Sequence, residues 1–186
     1  MSALLARLML TFMAVCITTI IGTLPSGAAA AEYDMNASIV RVLELTNMER
    51  QRAGLAPLTL SSELTAAAQN YSQVLAETGC FRHDCGTVPN FTDRISLAGY
   101  TNMSAAGENI AAGYPTPESV VEGWMNSAGH RANLLSPNYV EIGIGVASGS
   151  NTYGIFWTQD FGSRFVVSKN LPAAGEWDLW DPEIRP

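Results

Sequence analysis

Apolar side chains recur at helical spacing along the first part of this chain and at strand spacing towards its end. Over residues 36–53, Ile39, Val42, Leu43 and Thr46 share one face and Gly54 follows as a stop, which predicts a first helix. Residues 55–60 contain Pro57 and read as a connector. Ser61 can then cap a helix whose inner face carries Leu64, Ala67, Ala68, Tyr71, Val74 and Leu75, with Gly79 at its end. Residues 80–90 have no period and include Gly86 and Pro89, so they predict a loop, and residues 92–98 predict a short helix stopped by Gly99. The strongest helix start is Thr116-Pro117-Glu118: a capping hydroxyl, a proline at the first helical position and an acid in the first turn. That helix is expected to run to about Ser127.

From residue 139 to 146 the period becomes two. Val140, Ile142, Ile144 and Val146 alternate with Glu141, Gly143 and Gly145. Gly149-Ser150-Asn151 turns the chain, and residues 153–161 are rich in aromatic and β-branched side chains, so the two runs predict an antiparallel hairpin. Helices first and a hairpin last give an α+β fold. Residues 163–186 form an acidic, proline-containing tail, in which Trp177 and Trp180 are expected to dock onto the domain.

One apolar run fits none of these elements. Residues 1–31 hold a single charge, Arg7, then an apolar stretch over 8–24 and small residues over 27–31. That order is the pattern of a secretory signal peptide cut after Ala30 or Ala31. An uncleaved anchor is the rival reading, because the run approaches bilayer length, but the alanine-rich end favours cleavage. A lipoprotein ranks below both, since Val15 precedes Cys16 where a small residue is needed. The expected organisation is a signal peptide over 1–31, a domain over 36–162 and the tail. The expected location is secreted or periplasmic, without membrane insertion after cleavage.

Charge and cysteines sharpen this picture. The chain has 186 residues, 47% of them hydrophobic, enough for one core, and a formal charge of -7. Losing Arg7 with the leader leaves nine basic residues against 17 acidic ones, a net charge of -8. Lys169 is the only lysine, so there is no basic stripe for phosphates and nucleic acid is excluded as a partner. Cys16 also leaves with the leader, so Cys80 and Cys85 remain as the one pair in an exported chain. A disulfide is expected there, with free thiols or a C-x4-C metal clip as the alternatives that export disfavours.

The candidate chemistry is sparse. His83 and His130 are the only histidines, 47 positions apart, so any shared site must be assembled by folding, and local zinc-motif spacing is absent. Taken singly, each is more often a hydrogen-bonded structural residue. Glu108, in Gly107-Glu108-Asn109-Ile110, lies within a small and apolar stretch over 105–112. A carboxylate buried there needs a partner: a histidine, an arginine such as Arg94 or Arg131, an ion or backbone donors. Gly143-Ile144-Gly145 is no dinucleotide loop, because a strand and not a helix follows it. Ser127 near His130, without a G-x-S-x-G elbow, is a thin case for a serine hydrolase.

Taken in order, several motifs resemble the CAP superfamily. They are Asn47-x-x-Arg50 with Gly54-Leu55-x-Pro57-Leu58, Phe81-x-His83, Gly107-Glu108-Asn109-Ile110, Trp124-x-x-Ser127, Gly129-His130-Arg131-x-Asn133-Leu134-Leu135, Gly143-x-Gly145 and Trp157-Thr158-Gln159-Asp160-Phe161-Gly162. The superfamily, also called the SCP domain, takes in cysteine-rich secretory proteins, venom antigen five and plant pathogenesis-related proteins; the wording here is closest to bacterial members. The likeness covers residues 39–162. It implies an α-β-α sandwich in which helices flank a small antiparallel sheet beside an open cleft.

The resemblance also implies that His83, Glu108 and His130 converge in that cleft. In several relatives the histidines hold a divalent cation, so a cation such as zinc on His83 and His130 is the cofactor it implies. The family's tetrad has a second acid three residues after the tryptophan of the penultimate helix, where this chain has Ser127. Strand alternation makes Glu141 the candidate substitute. Three functions follow, in order of preference. The first is a secreted binding module for an unidentified small-molecule, lipid, peptide or cell-wall ligand. The second is a metal-assisted hydrolase with Glu108 as general base, weakened by the lack of a third protein ligand. The third is a structural or interaction domain at the cell surface. An enzyme is the less favoured reading, because a shared fold does not fix function.

Overall fold

The computed structural model describes residues 26–85 and 88–165, with side chains from residue 35 onward. Most of the expected leader and tail, with Trp177 and Trp180, lie outside the described residues. The first helix, α1 (Ser26–Arg52), starts ten residues before the periodic stretch read from the sequence, and its first turns fall in the small-residue end of the expected leader. Val42 and Thr46 are fully buried on its inner face. The connector contributes a two-residue strand, β1 (Thr59–Leu60).

Helix α2 (Ser62–Thr78) has the ends its sequence specifies. The Ser61 side chain accepts from Leu64 N, and Gly79 closes the helix at φ 69, a left-handed conformation that costs glycine little. Helix α3 (Phe91–Leu97) follows with Asn90 as its cap. Strand β2 (Met103–Ala112) comes next, then α4 (Pro117–Asn126), started by Thr116 in a capping box with Ser119. A short helix α5 (Ala128–Leu134) precedes the hairpin of β3 (Glu141–Ser148) and β4 (Ile155–Arg164).

The sheet order is β1-β3-β4-β2, with β1 parallel to β3 and the other pairs antiparallel. The sheet is therefore mixed at one edge, although its three long strands have the expected antiparallel arrangement. Helices α1, α4 and α5 cover one face, and α2 with α3 covers the other. Val42, Val120, Trp124, Ile142, Ile144, Trp157 and Phe161 pack together in the first layer. Tyr71, Leu75, Ile110 and Phe156 pack together in the second. This is an α+β fold, an α-β-α sandwich.

The glycines that alternate along β3 have a packing role. A Cβ on Gly143 would lie 2.0 Å from the Leu64 carbonyl carbon, and one on Gly145 would lie 2.4 Å from that of Ala68. Helix α2 thus rests its backbone directly on the sheet. Strand β2 is the free edge on the opposite side, and it carries Glu108.

Candidate functional site

Two features place His83. The disulfide Cys80–Cys85 closes its loop, with a Cα–Cα distance of 6.0 Å. The loop backbone is then pinned from below: Tyr71 Oη donates to the Arg82 carbonyl at 2.5 Å, and Arg94 Nη1 donates to the His83 carbonyl at 3.1 Å. The His83 side chain remains 53% exposed, and its Nδ1 lies 2.7 Å from Glu108 Oε1. The other ring nitrogen, Nε2, is left without a protein hydrogen-bond partner among the described residues.

Glu108 sits underneath, its side chain 1% exposed. Its second oxygen, Oε2, accepts from Arg94 Nη2, and the Arg94 guanidinium carbon lies over the Tyr71 ring at 3.4 Å from its centre. Arg94 was one of the two arginines expected to satisfy this acid. The other, Arg131, instead donates to the Met125 carbonyl at 3.1 Å.

His130 arrives from the opposite face on α5. The sheet holds that helix: Asn109 Nδ2 donates to the His130 carbonyl at 3.1 Å, and Asn133 Nδ2 donates to the Glu108 carbonyl at 3.2 Å and to Asn109 Oδ1 at 2.9 Å. Glu108 and Asn109 therefore divide the work of one strand. The former anchors the His83 side, and the latter anchors the His130 side. The His130 ring opens onto a cleft of about 270 Å³ lined also by Phe81, Ile110, Tyr114, Trp124 and Ser127.

The two imidazoles are unequal. The Glu108 hydrogen bond holds His83 above the ordinary histidine range, against an opposing effect of burial. Burial, and then the nearby charge of His83, push His130 below it. The two imidazoles are thus displaced in opposite directions from the ordinary histidine value.

Other residues singled out in the sequence fall differently. Ser127 joins α4 to α5 and lines the cleft beside His130, with no cap hydrogen bond from its side chain. Glu141 accepts from Tyr100 Oη at 2.6 Å and faces Arg164 Nε at 3.5 Å. Asn47 and Arg50 belong to the frame. Asn47 pairs with the Leu58 backbone through both ends of its amide. One acid was quoted in the sequence only as part of a motif, with no role assigned to it. Asp160 lies directly across from Glu108 in the β2–β4 register and is fully buried. Alternation puts it on the face opposite Phe161, and it is buried because α2 covers that face of the sheet.

A cation in this cleft would take its protein nitrogens from His83 and His130. Among the described residues no group of three or more His, Cys, Asp or Glu side chains forms a metal-ligand set. Glu108 is already engaged on both oxygens. Two imidazoles at most would leave the remaining positions of such an ion to water, which is not the donor set of a closed structural site.

The three-layer sandwich carries on its edge strand a buried glutamate that pairs with His83. The chain belongs to the cysteine-rich secretory protein family, CAP, whose pattern matches residues 43–161. The uncharacterized Bacillus subtilis protein YkwD is 43% identical over 133 residues, 71% of this chain and 49% of YkwD. An extracellular SCP-domain protein from Bacillus anthracis has a similar solved structure, with TM-score 0.65 and 31% identity over 70% of this chain and 41% of that one. An outer surface protein of Borrelia burgdorferi shares the fold at TM-score 0.60 and 22% identity, over 72% of this chain and 95% of that one. The chain spans about half the length of YkwD, a curated relative. Among the described residues no helix is long and apolar enough to cross a membrane.

Proposed function

We propose that this chain is an exported binding module whose cleft presents His83 and His130 to a ligand, with a divalent cation such as zinc as a weak, exchangeable occupant. The observation that carries the reading is the state of Glu108. Its carboxylate is enclosed and held by His83 and Arg94, so it orients an imidazole and has no free oxygen to activate water. That favours binding over hydrolysis. Phe81, Ile110, Tyr114 and Trp124 around the cleft favour a ligand with an apolar part, such as a lipid or peptide side chain. Export rests on the leader-like pattern over residues 1–31 and on extracellular and outer-surface relatives.

Calorimetry with zinc at neutral pH tests the proposal, using His83→Ala and His130→Ala. The parent should bind weakly and each variant should lose at least about tenfold, since each removes half of the protein donor set. Unchanged binding in both variants would move the site elsewhere. Turnover of an ester, peptide or glycan panel that disappears in Glu108→Gln would favour the hydrolase instead.

A further inference from the structure

Among the described residues, Asp160 is the buried side chain with two polar atoms left without a hydrogen-bond partner. It is fully buried on β4, opposite Glu108 of β2 on one side and opposite Gly143 of β3 on the other. The α2 backbone, in contact with Gly143, covers that part of the sheet. Neither oxygen of Asp160 meets a donor among the described residues. A carboxylate enclosed in this way without donors is costly, and it relieves the cost by keeping its proton.

The groups around it agree. Glu108 is its cross-strand neighbour, at a spacing where side chains meet. Arg94 of α3 gives its Nη2 to Glu108, while its Nε has no acceptor, so the guanidinium is not turned to Asp160 as a partner. His83 of the disulfide loop gives Nδ1 to Glu108, Tyr71 of α2 gives its hydroxyl to Arg82, and the Thr158 hydroxyl, two residues before Asp160, accepts from Ser72 at 3.0 Å. Arg94 Nε is the one protonated nitrogen left over among these groups, and it makes no hydrogen bond to Asp160. Two carboxyls side by side share a hydrogen bond only when one of them carries a proton.

We propose that Asp160 is a neutral carboxylic acid that donates its O–H to Glu108, so that Glu108 is a single anion held by three donors, His83, Arg94 and Asp160. Asp160 is then a positioning residue of the cleft, set behind the imidazole. It fixes the carboxylate that fixes His83, and it lets a second acid lie beneath the site without adding a second charge. Burial, and next the Glu108 charge, push its titration well above the usual carboxylate range. The assignment requires no metal or ligand, so its failure would leave the zinc test of His83 and His130 untouched.

Infrared spectroscopy and a pH series of urea denaturation on the full chain test it, with Asp160→Asn, which keeps a donor towards Glu108. At pH 7 the parent should show the carbonyl stretch of a protonated carboxyl, and the variant should lack it. A group titrating higher in the folded state stabilises fully below its unfolded value, near 3.9, and loses that contribution as pH rises towards its folded value. Between those limits the folding equilibrium of the parent should fall by about tenfold per pH unit relative to Asp160→Asn. Parallel pH profiles, or no protonated carboxyl in the parent at pH 7, would overturn the proposal. If the variant does not fold, the parent spectrum alone decides it.

Discussion

Two buried charged centres in this domain are built on opposite plans. Arg50, 2% exposed at the end of α1, is surrounded by backbone carbonyls: Nε donates to Ala56 at 2.9 Å, Nη1 to Leu134 and Ser136 at 2.8 Å each, and Nη2 to Tyr139 at 3.3 Å. No acid takes part among these contacts, and burial pulls the guanidinium below its ordinary value without a counter-charge to restore it. Glu108 is held by side chains from a loop and from α3, and it has a second carboxyl beside it with no donor of its own. The Arg50 centre closes upon itself and ties α1 to the segment before β3. The Glu108 centre opens through His83 to solvent. Comparing them separates a charge whose needs the backbone meets from one whose arrangement ends at a surface group.

The largest expected effect breaks the second centre. Glu108→Ala leaves the Arg94 guanidinium buried without its carboxylate, a loss on the order of 3–5 kcal/mol in urea denaturation. It should also lower the titration of His83. Arg50→Met should cost about 3 kcal/mol, because several carbonyls lose their donor together, yet it should leave the titration of His83 and zinc binding unchanged in the folded protein. If Arg50→Met altered the cleft, the separation between the two centres would fail. Reducing Cys80–Cys85 should cost about 2 kcal/mol by the chain-entropy argument, with weaker zinc binding as the His83 loop loosens. Thiol titration of exported protein under denaturing, non-reducing conditions should find no free sulfhydryl.

The smallest expected effect comes from pH. His83 titrates higher in the folded state, so its pairing with Glu108 stabilises fully below about pH 6.5 and fades as pH rises through the folded value. His130 titrates lower, so its contribution is present above about 6.5 and is lost as pH falls. The opposed signs should leave a shallow stability profile in this range, and His130→Gln should expose the His83 slope. Zinc binding needs both rings neutral and should weaken as pH drops through the raised value of His83, beginning above about 6.5.

How much of this could be read from the sequence follows from the range of the interactions. Helices α2 and α4 announce themselves by Ser61, Gly79 and Thr116-Pro117, because caps are local. The hairpin was legible because Ile142, Ile144 and Val146 alternate with small residues, although the reason for Gly143 and Gly145 lies in α2, far along the chain. Strand β2 was not assigned, since its alanines and glycine carry little strand preference and its adjacent polar residues Glu108 and Asn109 point to opposite faces of the sheet. Helix α5 is one short segment opening on Ala128 and Gly129, without a side-chain cap. The family resemblance brought His83, Glu108 and His130 together. It could not supply the partners of Glu141 or the position of Asp160, because both depend on strand register and on which side chains the opposite layer brings near.

The central claim is that the Glu108 contact raises the titration of His83 while burial lowers that of His130. NMR titration of the two imidazoles in the parent and in Glu108→Gln measures this directly. The account predicts His83 above and His130 below about 6.5 in the parent, with His83 falling in the variant while His130 changes little. Equal titration points in the parent, or a His83 that is indifferent to the loss of the Glu108 charge, would contradict it.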